Sequence, residues 1–504
     1  MEAKEYVEKR NTILVLILLF LLSVCIRMPT LNRPLSKHHE FCTAVALRIM
    51  QVWDEAGIAS CHFNPVMTYP HPADKFINNY ASGSGKMMDE RGNYYYISHP
   101  PLAYYLPFFL FRIFGIAPGV LPVEVFNLFI HFLCSIGVFL ILQFLSYGPA
   151  ILPVSLRKLS PLLAFSAYLF SPGTLWFHSN VYMADILVQL FFIYGVYFAL
   201  RFGEEKKREW LLLSGITVFL MTYTTWLGVF YCAAVIALAI WKKDIAQTIF
   251  IAGCTASALI LTAFQYSRIA GCDALMQEWL FRFSERSGWH SPDMLNSLAV
   301  ILKNYLTSYL PVIAAIFLML IFFFRESKGL LQGKPGRFIF LSAAPVILLH
   351  LLLSDYSGHD FTTLYGGLFL CVMFGALAHG AAQRIKPRWT AMGTLTVIIA
   401  CVIQYYYINR PGKYSLNGDR YADFQDIGKS IARQSSNEEV IFLKGRKPSP
   451  EIILYAGRNI LRIHDETEAV NFLQERGLKR GLIFHVTDGN RAVVEKKLNY
   501  SFQH

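Results

Sequence analysis

His38, His39 and Glu40 stand side by side near the start of a long polar stretch, residues 35–101, and His99-Pro100-Pro101 closes it. Adjacent imidazoles and a carboxylate can move protons to and from a reacting hydroxyl, the work of general acid–base catalysis. They could also hold a divalent metal, with His38, His39, Glu40 and Asp185 as the donor set, although no fixed ligand spacing such as H-E-x-x-H is present. Asp185 opens a later apolar run, and Asp355, His359 and Asp360 share one short polar turn. Tyr96 belongs to the aromatic run before His99. A second polar stretch, residues 265–304, carries Arg268, Trp279, Arg282, Arg286, Trp289, His290 and Lys303. Such residues can bind an anionic lipid headgroup, or simply form an interfacial belt. Structural roles compete at each position. Glu40 could complement a helix dipole, Asp185 could be an ordinary interfacial acid, and His99 and His359 could each tie down a loop.

These residues need a scaffold, and the rest of the chain is mostly apolar. Of its 504 residues, 54% are hydrophobic and only 16% charged, with positive mean hydropathy. Several apolar runs approach the roughly 20 residues that cross a bilayer, so the fold class expected is a polytopic α-helical membrane protein. The net charge of +12 does not imply a nucleic-acid partner, because no binding motif accompanies it and the basic residues cluster between apolar runs.

Spans are expected at residues 13–26, 122–145, 160–176, 185–201, 210–223, 226–241, 245–264, 305–324, 338–354, 362–379 and 390–408, eleven in all. Residues 101–114 are apolar but short, about 21 Å as a helix, and follow Pro-Pro. They are read as a juxtamembrane helix inside a large outer loop, residues 27–121. Residues 41–55 have helical spacing with one apolar side and suit a helix lying on the membrane surface. Charge supports this count. The segments assigned inside contain Arg157, Lys158, Lys206–Arg208, Lys242, Lys243, Arg325, Lys328, Lys334, Arg337, Arg384, Lys386 and Arg388. The short outer turns, residues 177–184, 224–225 and 355–361, contain no Lys or Arg. The positive-inside rule therefore places the C-terminus outside, in a multi-pass protein of the plasma (inner) membrane.

The transmembrane domain is expected at residues 1–409. From residue 410 to 504 the composition becomes soluble, with strands and helices alternating, which implies a small parallel α/β domain on the outer face. Of the nine cysteines, Cys42, Cys61 and Cys272 fall outside the apolar runs; Cys42 and Cys61 could pair in an oxidising compartment.

The order of these features resembles the GT-C glycosyltransferases, in particular the protein O-mannosyltransferases and the bacterial aminoarabinose transferases that modify lipid A. The likeness lies in the first span, the outer loop with His-His-Glu near its start, the aromatic run before HPPLAYYL, the short juxtamembrane helix and the acid at the head of a later span. It covers about residues 1–270 in detail and the remainder as architecture. The resemblance implies an inverting transfer of a sugar from a polyprenyl-phosphate-linked donor to a protein, lipid or glycan acceptor on the outer face. Glu40 would match the first-loop base and Asp185 the second-loop acid. His38, His39, His99, Tyr96, His359 and Asp360 would contact substrate, and an arginine would steady the leaving phosphate, with Arg27, Arg268, Arg282 and Arg286 as candidates. His-His-Glu stands where many members have an Asp-Glu pair, which leaves acceptor type and metal use open. A secondary transporter is the competing class, but no matched pair of Gly/Pro-broken spans is evident. A non-catalytic factor that binds lipid-linked glycans is the third.

Overall fold

The computed structural model describes residues 2–77, 86–146, 154–288, 294–323, 333–382, 385, 387–414, 423–487 and 492–499. Trp289, His290, Arg325, Lys328, Arg384 and Lys386 lie outside the described residues, as do the side chains of Arg157 and Lys158.

Helix α1 (Glu2–Arg27) leads into a long loop, where α2 (Glu40–Ala56) is followed by a hairpin, β1 (Lys86–Met88) and β2 (Tyr94–Tyr96), and by α3 (Leu102–Ile113). Gly57 ends α2 with φ +80°, a backbone that a side chain would strain. The surface-helix expectation for residues 41–55 is corrected in one respect. Only its outer edge is exposed; Ala44, Leu47, Ile49, Met50, Val52 and Trp53 are buried in protein. Trp53 stacks on Tyr105 and donates to the Asn64 carbonyl, which pins α2 to α3.

Next come α4 (Val120–Ser146), α5 (Val154–Phe170), α6 (Pro172–Asn180), α7 (Ala184–Glu205), α8 (Arg208–Thr222) and α9 (Leu227–Trp241). They are followed by α10 (Ile245–Ser287), α11 (Met294–Phe322), α12 (Gly333–Leu352), the single turn α13 (Ser354–Ser357), α14 (Leu364–Ala381) and α15 (Pro387–Ile403). Eight helices among the described residues are long and apolar enough to cross a membrane. The other three expected spans fall on α5, α8 and α9, which are shorter than a bilayer's thickness. α4, α7 and α14 are mostly buried and form the bundle's centre, whereas α1, α11 and α15 expose Leu, Ile and Phe along their length.

Two expectations for this region are corrected. Residues 177–184 are not simply a turn, because α6 extends to Asn180. Residues 265–287 are not a loop. α10 continues through a kink at Ala270 and Gly271, where Gly271 has φ +89°, and runs on to Ser287. Trp279, Arg282, Phe283 and Arg286 follow i, i+3, i+4, i+7 spacing and so share one face; their polarity had concealed the period.

The C-terminal unit consists of α16 (Asp423–Gln434), β3 (Val440–Lys444), α17 (Pro450–Ala456), β4 (Ile460–Ile463), α18 (Glu466–Glu475), β5 (Arg480–Val486) and β6 (Ala492–Asn499). Ser449 and Asp465 cap α17 and α18 with their side chains. The sheet order is β4-β3-β5-β6, with β3 parallel to β4 and β5. The expectation of a wholly parallel sheet is corrected by β6, which is antiparallel to β5. Its Glu495, Lys496 and Lys497 give it the charged character of an edge strand.

This unit docks on the long loop between α1 and α4. Arg458 and Asp74 form a buried ion pair, with Nε 3.2 and 3.0 Å from the two carboxylate oxygens. Asn459 donates to the Asp74 carbonyl at 2.9 Å, and Tyr455 accepts from the Leu35 amide at 2.7 Å. Burial pushes the Asp74 carboxyl up to about 6, although Arg458 draws it down. Arg458→Met strands that carboxylate, so docking is expected to weaken by about 3–5 kcal/mol at pH 8. The deficit should shrink as pH falls toward 6, where Asp74 takes up a proton. Hydrogen exchange of the β3 and β4 amides at both pH values checks this; protection equal to the unaltered protein at pH 8 would show that the pair does not hold the interface.

Candidate active site

Asp185 sits in the first turn of α7, where the helix dipole favours an acid, and its side chain is buried. The turn before it is held from α2. Thr43 Oγ1 accepts from the Tyr182 amide at 2.8 Å and donates to the Asn180 carbonyl at 3.2 Å. Tyr182 in turn donates to the Ala103 carbonyl of α3 at 2.5 Å. Two phenols, Tyr356 and Tyr365, both donate to Asp185 Oδ1. The other oxygen, Oδ2, has His99 Nε2 3.9 Å away.

His99 is fixed through its backbone, whose carbonyl accepts from Tyr266 at 2.6 Å. The neighbouring Ser98 carbonyl accepts from Trp226 at 3.1 Å and from Arg286 Nη1 at 3.4 Å. Burial pushes the His99 imidazole down to about 3, against the pull of Asp185, so the ring is neutral at ordinary pH. Arg286 lies over the Tyr356 ring, 4.7 Å from its centroid, and Arg282 one turn earlier pairs with Glu285.

Asp185, His99, Tyr356, Arg282 and Arg286 line a cavity of about 390 Å³, walled also by Phe41, Val45, Tyr96 and His359. A second, apolar groove of about 370 Å³ is lined by Trp226, Val229, Phe230, Trp279 and Phe283. Arg282 and Arg286 belong to both. The polar cavity and the apolar groove therefore meet at two guanidinium groups.

Glu40 lies elsewhere. It is fully buried at the head of α2 and is not among the residues lining the cavity. Arg33 grips both of its oxygens, and Oε2 also accepts from the Ser36 and Lys37 amides at 2.8 and 2.9 Å. Its neighbours Phe41 and Cys42 are the residues of that helix turn that face the cavity.

His38 and His39 are turned a third way. His39 has φ +59°, a left-handed conformation that costs a non-glycine residue energy. Their Nε2 atoms lie 2.8 and 3.0 Å from the two oxygens of Asp360. The metal donor set expected from the sequence is thus corrected: Asp360 joins the histidines, while Glu40 and Asp185 are engaged separately. Two imidazoles and a carboxylate would suit a transition metal. Yet the Lys413 ammonium is 3.2 Å from Asp360 Oδ2, so a cation already faces this carboxylate and a divalent ion would be repelled. The cluster fits an ion-paired network better than a metal centre. Burial holds the His38 imidazole below its ordinary value despite Asp360. His359 stacks on Phe361 and bridges this cluster to the cavity, its ring 5.7 Å from His39.

Other candidates fall away from the cavity. Arg27 is buried against Ser23 and His131, and Arg268 is exposed. Cys42 and Cys61 are free thiols, which corrects the disulfide expectation. Tyr356 and Tyr365 had no sequence signal beyond closeness to His359-Asp360, and Arg33 and Lys413 had none.

No protein-family model matches the chain, and no curated protein sequence matches it. Solved structures do. The oligosaccharyltransferase AglB from Archaeoglobus fulgidus, in complex with an inhibitory peptide and a dolichol-phosphate, gives a TM-score of 0.53 at 11% identity, covering 95% of this chain and 70% of its own. ArnT from Cupriavidus metallidurans bound to undecaprenyl phosphate gives 0.59 at 11% identity, covering 95% and 93%. The Archaeoglobus fulgidus oligosaccharyltransferase in complex with zinc and sulfate gives 0.55 at 12% identity, covering 93% and 68%. The chain has the fold of the GT-C membrane glycosyltransferases.

Proposed function

We propose that this protein transfers a sugar from a polyprenyl-phosphate-linked donor to an acceptor hydroxyl on the outer face of the inner membrane, with inversion at the anomeric carbon. The observation that carries this reading is the pair Arg282 and Arg286 at the junction of an apolar groove and a cavity containing a buried carboxylate. A lipid tail fits the groove, its phosphate meets the guanidinium fork, and the sugar reaches Asp185. Neighbours bound to dolichol-phosphate and undecaprenyl phosphate support this donor class. The acceptor is a protein, lipid or glycan.

In this scheme Asp185, rather than Glu40, takes the acceptor proton. The acceptor oxygen bonds to the anomeric carbon as the bond to phosphate breaks, and polyprenyl phosphate leaves with its charge matched by the arginines. Tyr356 and Tyr365 orient the base, and the neutral His99 accompanies its free oxygen. Glu40 positions the α2 turn through Arg33. The C-terminal unit, docked on the first outer loop, shares the outer face.

The test is turnover in membranes supplied with polyprenyl-phosphate-linked sugars, following release of polyprenyl phosphate and labelling of outer-face glycoconjugates. Absence of both, with donor lipid still bound, would favour a non-catalytic binding factor. Glu40→Gln separates the two carboxylates. It is expected to cost about 1–3 kcal/mol of stability while retaining transfer within about tenfold, because a positioning group is worth less than a base. A folded, donor-binding Glu40→Gln protein with transfer reduced beyond about 100-fold would return the base to Glu40.

A further inference from the structure

Pro311 has no N–H, so the Thr307 carbonyl one turn earlier in α11 loses its helical donor. Two side chains replace it. Gln404 Nε2 and Asn409 Nδ2 each donate to the Thr307 carbonyl at 2.8 Å, and Gln404 Nε2 also reaches the Leu306 carbonyl at 3.1 Å. Both belong to a π-helical stretch, Gln404–Lys413, that leads from α15 toward the C-terminal unit. Such turns are rare and often found at functional sites. Pinned to α11 in this way, the stretch ends with Lys413 beside the turn that carries Tyr356.

Lys413 Nζ donates to Asn304 Oδ1 at 2.8 Å and lies 3.2 Å from Asp360 Oδ2. Asn304 Nδ2 in turn donates to the Gly358 carbonyl at 2.8 Å. The chain is thus held on both sides of His359, and Tyr356 stands two residues before Gly358. Tyr414 stacks on Trp176, with centroids 4.3 Å apart and rings 7° from parallel, and Trp176 donates to the His38 carbonyl at 3.3 Å. Because His38 contacts Asp360, these interactions close a ring through Lys413, Asp360, His38, Trp176 and Tyr414. Asp360 is only 3% exposed, so water cannot take the place of the ammonium.

We propose that Lys413 is a positioning residue, which fixes the turn around residues 354–360 so that the Tyr356 phenol stays aimed at Asp185. Tyr356 and His359 line the cavity, whereas Lys413 and Asp360 stand behind them. The stretch leading to the C-terminal unit thereby supports the cavity wall. The proposal rests on the transfer reading in taking Asp185 as the base.

The test measures transfer by the purified full-length chain in nanodiscs. Lys413→Met should lower kcat about tenfold through misplacement of the phenol, with the donor KM unchanged because Arg282 and Arg286 are untouched. Lys413→Arg keeps the charge and should restore most of the rate. A double-mutant cycle with Tyr356→Phe decides the route. If Lys413 acts through the phenol, Lys413→Met costs little more once that hydroxyl is gone. Fully additive losses would mark a merely structural role and overturn the proposal, as would an unchanged kcat in Lys413→Met. Hydrogen exchange gives an arm that needs no activity. Lys413→Met should speed exchange of the amides of residues 354–363, while the β3 and β4 amides stay protected, which shows that the variant folds. Unchanged exchange at residues 354–363 overturns the proposal. If the unaltered protein transfers no sugar, the transfer reading falls by itself, and exchange still decides whether Lys413 holds the turn.

Discussion

Asp185→Asn is expected to lower sugar transfer by about 100- to 10,000-fold while leaving folding and donor binding intact. An acceptor hydroxyl is a weak nucleophile at neutral pH, and a positioned base is worth that range. Asp185 is the carboxylate with one oxygen fixed by two phenols and the other turned toward a neutral imidazole inside the cavity. Asparagine keeps the size and can still accept from Tyr356 and Tyr365 through its amide oxygen, so the architecture should survive. The change should appear in kcat with little effect on donor affinity, since only the transition state uses the base. Tyr365→Phe provides a graded control. Losing one orienting phenol should reduce transfer by less than losing the base. Near-normal transfer by a folded Asp185→Asn protein would remove this carboxylate from the chemistry.

Arg286→Gln should cost about 100- to 1,000-fold in transfer, the range expected when a donor to developing negative charge is lost. In the proposed transfer, charge grows on the lipid phosphate as the glycosidic bond breaks, and Arg286 lines both the apolar groove and the cavity with its guanidinium held over Tyr356. Unlike Asp185→Asn, this change should also weaken binding of undecaprenyl phosphate, because the product anion uses the same contact. Arg286→Lys keeps the charge but not the fork and should recover only part of the activity. Unchanged product affinity and unchanged turnover in Arg286→Gln would place the phosphate elsewhere. The two substitutions thus separate base from leaving-group stabilisation by a difference in binding as well as in rate.

Much of the fold was legible before the structure. Apolar runs of spanning length and the distribution of Lys and Arg identify a polytopic membrane protein, since a bilayer demands satisfied backbone and uninterrupted apolar surface. The short helix after Pro100-Pro101 and the strand–helix alternation after residue 410 were legible for the same local reason: period and punctuation are properties of neighbouring residues. The candidate residues were drawn mainly from the segments between apolar runs, because charged groups are costly within spans. Where local signals were weak, the reading failed. The second half of α10 looked like a loop because its charged and aromatic face turns toward the cavity rather than toward lipid. Strand β6 was missed because its charged edge carries little apolar alternation.

By itself, the sequence determined which stretches are apolar enough to cross a bilayer, and eight of them are helices of spanning length among the described residues. It also placed Glu40 and Asp185 among the acids available for chemistry. The tertiary structure alone decided which acid faces the cavity. Glu40, beside two histidines in sequence, turns inward to Arg33, while His38 and His39 cross to Asp360, more than three hundred positions away. Asp185, with no special neighbour in sequence, receives Tyr356 and Tyr365 from beyond α12. The physical reason is that burial and hydrogen-bond partners set what a carboxylate can do, and those partners come from helices brought together only by packing.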